Sequence, residues 1–365
     1  MRMRLGPVGT AVPQHCYDYA RDLEVARLIL RPTPEQESWI PGVYAKSGIE
    51  KRYYILGDAE LDDLVRRPLA AMTEDERSAW NGPSVGLRMG YYEREAKVLA
   101  IRASQDALEQ ADCAGEEITH LVTVSCTGFA APGVDWFLMD SLGLSADVER
   151  THVGFMGCHG ALNGLRVARG LVAAQPEARV LLCAVELCSL HYHCRWDPSR
   201  VVSNSLFADG AAASVCKAGA GKKDQGWGLQ ASGSHRVADT QQMMGWVIGD
   251  HGFEMTLTKE VPKVIEAQLG AWVDGWLGRQ GMKRSDIRSW AVHPGGPRIL
   301  EAAENALGLE AGGLADSRGV LRDYGNMSSP TLLFIARRMM QRGAELPCVM
   351  LGFGPGMSIE AALWV

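Results

Sequence analysis

Six stretches of the chain are apolar at nearly every position, and between them apolar residues return every three or four. The continuous runs are THLVTVSC (119–126), ARVLLCAVEL (178–187), AAASVCK (211–217), SWAVH (289–293), LPCVMLGF (346–353) and MSIEAALWV (357–365). The periodic segments are EAKVLAIRASQDALEQA (95–111), GALNGLRVARGLVAA (160–174), VPKVIEAQLGAWVDGWLGRQ (261–280) and SPTLLFIARRMMQRG (329–343). Short unbroken apolar runs are the mark of strands buried on both faces, and a return every 3.6 residues is the mark of helices. Their alternation predicts an α/β architecture with helices on either side of its sheets.

The chain has 365 residues, more than the roughly 250–300 at which a single core stops growing, so two coupled halves are expected. The clearest break in composition is KAGAGKKDQGWG (217–228), which divides the chain into 1–220 and 221–365. FADGAAASV in the first half and GFGPGMSIEAAL in the second lead into strands in a similar way, which hints at a duplicated fold. The polar stretch VRRPLAAMTEDERSAWNGPS (65–84) reads as a surface insertion or a lid.

Composition narrows the function. Hydrophobic residues make up 47% and charged residues 22%, with a formal net charge of -6, the balance of a soluble globular protein. An acidic chain without a Lys/Arg block is a poor partner for nucleic acid or an anionic membrane. In MRMRLGPVGTAVP the glycines and prolines interrupt any apolar core of a signal peptide, and no apolar run approaches the ~18 residues of a membrane span. The nine cysteines are odd in number and mostly embedded in apolar runs, which predicts reduced thiols and a cytoplasmic protein.

One cysteine stands apart. In VGFMGCHGALNGLRVARGL, Cys158 lies between two glycines at the start of a periodic segment. Gly157 permits a sharp strand-to-helix turn, and Gly160 and Gly164 share one helical face that a neighbour can approach closely. A thiol at a helix N-terminus faces unpaired N–H groups, which favour thiolate; the bland alternative is a packed core thiol. His159 is adjacent in sequence and points elsewhere on the helix, so it is expected to pack rather than to react. Two other residues are candidate partners: His293, delivered by a strand into a Pro-Gly-Gly turn, and Asn326, just before a helix start marked by Ser328, Ser329 and Pro330. Taken singly, each has an ordinary structural reading. CSLHYHC (188–194) gathers Cys188, His191, His193 and Cys194, but the spacing matches no standard zinc pattern, and no metal is expected.

Together GFMGCHGALNGLRVA, WAVHPGGPRIL, YGNMSSPTLLF and GFGPGMSIEAAL resemble the type III polyketide synthases, the chalcone-synthase-like members of the thiolase fold. GTAVP, KSGIEKRYY, ITHLV, SCTGFAAPGVD and LFADGAAA extend the likeness through nearly the whole chain. The resemblance implies a duplicated, five-layered αβαβα thiolase fold. It also implies that Cys158 attacks an acyl-CoA thioester, and that His293 and Asn326 donate hydrogen bonds to the thioester oxygen of malonyl-CoA as decarboxylation places charge there. The carbanion then extends the bound acyl group by two carbons, repeatedly, and the chain cyclises. CoA thioesters are substrates, and no cofactor is implied.

By the same resemblance Phe207 is one of two gate residues, and Met255 stands at the other gate position, where a thioether is softer than a ring. Cys126, Thr127, Ala131 and Cys188 fall on the pocket wall and are small, while Trp246 stands where chalcone-forming members have glycine. The combination resembles microbial alkylpyrone and alkylresorcinol synthases, with a narrow apolar tunnel for a medium or long fatty acyl chain. Lys46 aligns with a phosphate-binding cation, and Arg298 could replace others that are missing. A homodimer is implied, with FAAPGVD reaching across the interface. The alternatives are a single-condensation ketoacyl synthase III-like enzyme, a synthase of the chalcone type with an aromatic starter, or a non-catalytic relative.

Overall fold

A computed structural model describes residues 2–219, 226–310 and 312–365. The strands are β1 (Arg2–Ala11), β2 (His15–Asp18), β3 (Lys51–Tyr54), β4 (His120–Ser125), β5 (Glu149–Gly154), β6 (Arg179–Leu187), β7 (Asp209–Gly219), β8 (Trp227–Arg236), β9 (Met244–Gly249), β10 (Gly252–Leu257), β11 (Ser289–Val292), β12 (Cys348–Gly354) and β13 (Ser358–Trp364). Nine of them join in the order β11-β12-β13-β8-β1-β7-β6-β4-β5. This order contains one pattern twice. β1 pairs antiparallel with β7, β7 antiparallel with β6, and β6 parallel with β4. In the same way β8 pairs antiparallel with β13, β13 antiparallel with β12, and β12 parallel with β11. The halves meet where Met3, Arg4 and Leu5 of β1 pair with Leu229, Gly228 and Trp227 of β8.

The helix Val85–Gln110 lies on β1, β7 and β6, outside the first half of the sheet. The helix Gly160–Ala174 packs on β4, β6, β1 and β7 and also reaches β13, and Thr331–Gln341 touches β1, β7 and β11. Because both touch strands of each half, they form a shared middle layer. Helices Val261–Gly278 and Pro297–Leu307 pack on each other and cover the far face of the second half. The result is the five-layered αβαβα thiolase fold. Side chains alternate across a strand, so one strand feeds two cores. In β12, Cys348 and Met350 face the core of the first half, whereas Val349, Leu351 and Phe353 face the core under the outer helices. This is why the strands read as unbroken apolar runs.

The predicted strands and helices are all present, and their ends shift by a few residues. The largest shift is in the long helix, which begins at Val85 rather than 95 because Ser84 caps it, its Oγ accepting from the N–H of Leu87 at 3.3 Å. Gly86 and Gly90, poor helix formers, hide its first turns in the sequence. The opening residues, read only as interrupted by Gly and Pro, form the ten-residue strand β1. Pro7 is tolerated because it falls within a bulge between Leu5 and Val8. Residues 65–84 contain the short helices Arg67–Ala71 and Glu74–Ala79, neither with a buried residue, while Val65 is buried and Leu69 and Trp80 pack against the core. Residues 220–225, within the expected division of the chain, lie outside the described residues.

Gly9 shows how tightly β1 lies on the long helix: a Cβ there would stand 2.2 Å from the Ala103 carbonyl oxygen and 2.3 Å from the Ala107 nitrogen. Backbone cannot yield as a flexible side chain can, so Gly9→Ala is expected to destabilise the fold by about 3 kcal/mol. Thermal unfolding reads this as a clearly lowered melting temperature, and an unchanged one would contradict the packing described.

Candidate active site

The turn after β5 places Cys158. Phe155 has φ of 63° and Gly157 has φ of 71°, both in the left-handed region, so the chain reverses sharply after the strand. A single turn of 3₁₀ helix, Gly157–His159, leads into Gly160–Ala174, and Cys158 remains partly exposed there. A Cβ on Gly160 would lie 2.8 Å from Val124 Cγ1 and 3.4 Å from Ser329 Cβ, so glycine brings the helix start close to β4 and to the start of the other middle helix. His159 is buried and takes no part in this surface. One ring nitrogen meets Asn163 Oδ1 at 2.7 Å and the other Ser358 Oγ at 2.8 Å, which locks it as a packing residue.

Asn326 and Ser328, from far along the chain, approach the thiol, and Asn326 also neighbours His293. His293 follows β11, with its N–H donating to the Leu351 carbonyl at 2.8 Å. Its side chain is 1% exposed, yet neither ring nitrogen has a hydrogen-bond partner. Asn326 is clamped by its main chain, donating to the Leu206 carbonyl and accepting from the Ala208 N–H, each at 2.9 Å. Its Oδ1 accepts from the Ser328 N–H at 2.8 Å, which leaves the amide NH₂ as the free donor. Ser328, with φ of 58°, is a second strained residue beside the site.

Burial dominates the electrostatics. It pushes the Cys158 thiol up to about 11; hydrogen bonds from Ser328 and Asn326 pull it back, and the Glu186 charge adds to the rise. Burial also pushes the His293 imidazole down to about 3, with His159 adding to the fall and the nearby Asn326 amide opposing it. Asn326 therefore adjoins both groups. Desolvation thus opposes the thiolate that the helix end was expected to favour, and it opposes a charged imidazole as well.

Glu186 was not anticipated. Fully buried at the end of β6, it accepts from the Cys126 N–H at 2.9 Å, Thr127 Oγ1 at 2.7 Å and Ser329 Oγ at 2.5 Å, tying the loop after β4 to the second middle helix. A glutamate inside ARVLLCAVEL is the one sequence signal that could have found it. A carboxylate in a run otherwise apolar needs partners.

An inner cavity of about 60 Å³ is lined by Cys126, Thr127, Cys188, Phe207, Trp246, Met255 and Ser328, with His191, His193 and Phe253 among the rest. Six residues predicted to surround the substrate are thus brought together. Ala131 is not among them; it is exposed on the surface. Trp246 stacks on Phe253 at 5.0 Å, and Phe253 on His191 at 4.1 Å, so the hairpin of β9 and β10 forms an aromatic wall. The His/Cys cluster is dispersed in function. His191 donates to the Thr127 carbonyl at 2.6 Å and accepts from the Phe253 N–H at 3.0 Å, and Cys194 turns toward Arg88. Among the described residues, no group of three or more His, Cys, Asp or Glu side chains is placed to hold a metal.

An outer cavity of about 830 Å³ contains Lys46 and Arg298, and adds Arg200, Lys259 and Trp39, which sequence reading missed. Met255 lines both cavities. A gate between them is the role its position allows.

The chain is similar to known proteins over nearly its whole length. Residues 4–220 match the family of chalcone and stilbene synthases, N-terminal domain, and residues 228–364 match its C-terminal domain. An alpha-pyrone synthesis polyketide synthase-like protein of Mycobacterium tuberculosis is 34% identical, over 93% of this chain and 85% of its own. The 1,3,6,8-tetrahydroxynaphthalene synthase of Streptomyces peucetius is 33% identical, over 98% of this chain and 91% of its own. Among solved structures, PKS-I from the brown alga Ectocarpus siliculosus superposes with a TM-score of 0.89 at 29% identity, covering 100% of this chain and 98% of that one.

A neutral resting thiol has a kinetic signature. With the thiol raised to about 11, alkylation of Cys158 by iodoacetamide is expected to accelerate about tenfold per pH unit between about pH 7 and 9.5. A rate independent of pH over that range would mean that the thiolate is already formed.

Proposed function

The chain belongs to the chalcone and stilbene synthase family, the type III polyketide synthases, and from that membership we propose an acyltransferase that extends a medium- or long-chain fatty acyl-CoA with malonyl-CoA and releases an alkylpyrone or alkylresorcinol-type product. The observation that carries the reading is a buried imidazole with two unpartnered nitrogens, sharing Asn326 with the only partly exposed thiol of the site. Residues 1–220 form the half that supplies the nucleophile, and residues 221–365 the half that supplies imidazole and amide.

The chemistry follows from neutral groups. His293 takes the Cys158 proton as sulfur attacks the acyl-CoA carbonyl, and CoA leaves as thiolate to recover that proton. When malonyl-CoA follows, CO₂ departs and its electron pair moves onto the thioester oxygen. An imidazole held near 3 is neutral and offers one N–H, and the Asn326 amide offers another. These donors are fixed and desolvated, so they favour the enolate over the ground state. The enolate carbon attacks the Cys158 thioester, and the extended chain returns to the sulfur. No cofactor is called for.

Lys46 and Arg298, with Arg200 and Lys259, would neutralise CoA phosphates in the outer cavity, and Phe207 and Met255 would separate CoA from the growing chain. The apolar lining of Cys126, Cys188, Met255 and Trp246 suits hydrocarbon, about 0.8 kcal/mol for each CH₂ removed from water. A second reading, a short starter, is favoured by one observation: the inner cavity of about 60 Å³ admits only the first carbons of a chain unless the Trp246 wall moves. The enzyme is read as cytoplasmic; no helix among the described residues is long and apolar enough to cross a membrane.

A homodimer is supported by β5, which forms one edge of the sheet with Glu149–His152 exposed. Phe129, Trp136, Phe155 and Met156 are exposed beside it, a patch that a second copy would cover, and FAAPGVD including Ala131 lies in this region.

Incubation with labelled malonyl-CoA and acyl-CoAs of graded length tests the starter. Products are expected from chains longer than eight carbons, and products confined to shorter ones would select the second reading. Cys158→Ala is expected to abolish condensation, and Asn326→Ala to slow malonyl-CoA decarboxylation by about 10²–10³-fold. Sedimentation at micromolar concentration is expected to give twice the chain mass.

A further inference from the structure

We propose that Arg52, a residue outside both cavities, is a positioning residue that sets the Phe207 gate and the Asn326 amide together. The proposal rests on the roles read above for those two residues. Arg52 lies on β3 and is 1% exposed. Its Nε donates to Asp22 Oδ2 at 2.8 Å, and its Nη1 donates to the carbonyls of Asn204 and Phe207, each at 2.9 Å. Tyr54 Oη donates to the same Phe207 carbonyl at 3.1 Å and itself accepts from Tyr192 Oη. The guanidinium also lies over the rings of Tyr44 and Tyr54, at 5.5 and 5.1 Å.

These bonds hold the last turn of the helix Pro198–Leu206 and the residue after it. That short stretch has two outputs. The Phe207 side chain lines the inner cavity, and Leu206 and Ala208 carry the two main-chain bonds that clamp Asn326. Gly325 closes the path from the other side: a Cβ there would stand 3.3 Å from Arg52 Cβ, and φ is 73°. A shift of the 204–207 carbonyls is therefore passed directly to the amide beside Cys158. Stability alone does not explain the arrangement. A buried ion pair gains little over well-packed apolar residues, and Nη2 has no partner here. What a planar guanidinium supplies is a rigid fork that spans two carbonyls and a carboxylate, which lysine cannot reproduce.

Three variants test the idea: Arg52→Lys, Arg52→Met and Tyr54→Phe. Each is measured for malonyl-CoA decarboxylation without starter, for condensation, for KM, for iodoacetamide alkylation of Cys158 and for melting temperature. Displacement of a catalytic group by a fraction of an ångström to an ångström costs up to about 10²-fold. Arg52→Lys is accordingly expected to lower decarboxylation and kcat by about 10–100-fold, with KM within about threefold and alkylation within about twofold of the parent. Tyr54→Phe is expected to lose about threefold alone and to be non-additive with Arg52→Lys, since both act on one carbonyl. If Arg52→Met does not fold, the two gentler variants decide. Wild-type turnover in Arg52→Lys, or losses that track the alkylation rate and the melting temperature, would overturn the proposal. A wild-type protein that does not decarboxylate malonyl-CoA would instead overturn the functional reading on which it rests.

Discussion

The close approach of Gly160, at the start of one middle helix, to Ser329, just before the other, is the constraint on which the rest depends. One supplies Cys158 at its beginning, and the other begins just after Asn326 and Ser328. The absence of a side chain at Gly160 lets the two meet near Ser329. Ser329 then reaches the buried carboxylate of Glu186, which also holds the loop carrying Cys126 and Thr127. The helix start that carries Cys158, the turn after Asn326 and one wall of the cavity are thus fastened near a single point between two sheet halves. The β1–β8 pairing keeps those halves in register.

That same packing sets the chemistry. Excluding water pushes the thiol up and the imidazole down. Under the proposed mechanism such a site suits an enolate, because charge would form only when substrate supplies it. The left-handed residues Phe155, Gly157 and Ser328 are what the chain gives up locally to present sulfur and amide to one space, and the dense core around them keeps those conformations in place.

The two cavities divide recognition from reaction. The outer one is large and ringed with cations, whereas the inner one is small, largely apolar and bounded by the stacked Trp246, Phe253 and His191. Met255 belongs to both, so a thioether with several rotamers stands where the two cavities adjoin. Behind the gate, Arg52 and Tyr54 grip the main chain rather than the side chain of Phe207. Such a grip leaves the ring free to adapt while its anchor stays fixed.

Much was legible in the chain itself. Unbroken apolar runs marked strands buried twice, and the helical period marked Gly160–Ala174 at both ends, because those patterns reflect burial and backbone geometry that act locally. Cys158, His293 and Asn326 were visible through their motifs, since glycines and turns surround residues that must sit at element ends. The tertiary structure alone decided the rest. Strand β1 was hidden by Gly6, Pro7 and Gly9, whose fitness depends on a bulge and on a helix folded over them. The desolvation that pushes the thiol up sums over neighbours from the whole chain, which the local helix end does not reveal. Glu186 and Arg52 acquired meaning only from partners about 150 residues away, and Arg200 and Lys259 only from the cavity they share with Lys46 and Arg298. Local pattern determines what an element is; only folding determines what it faces.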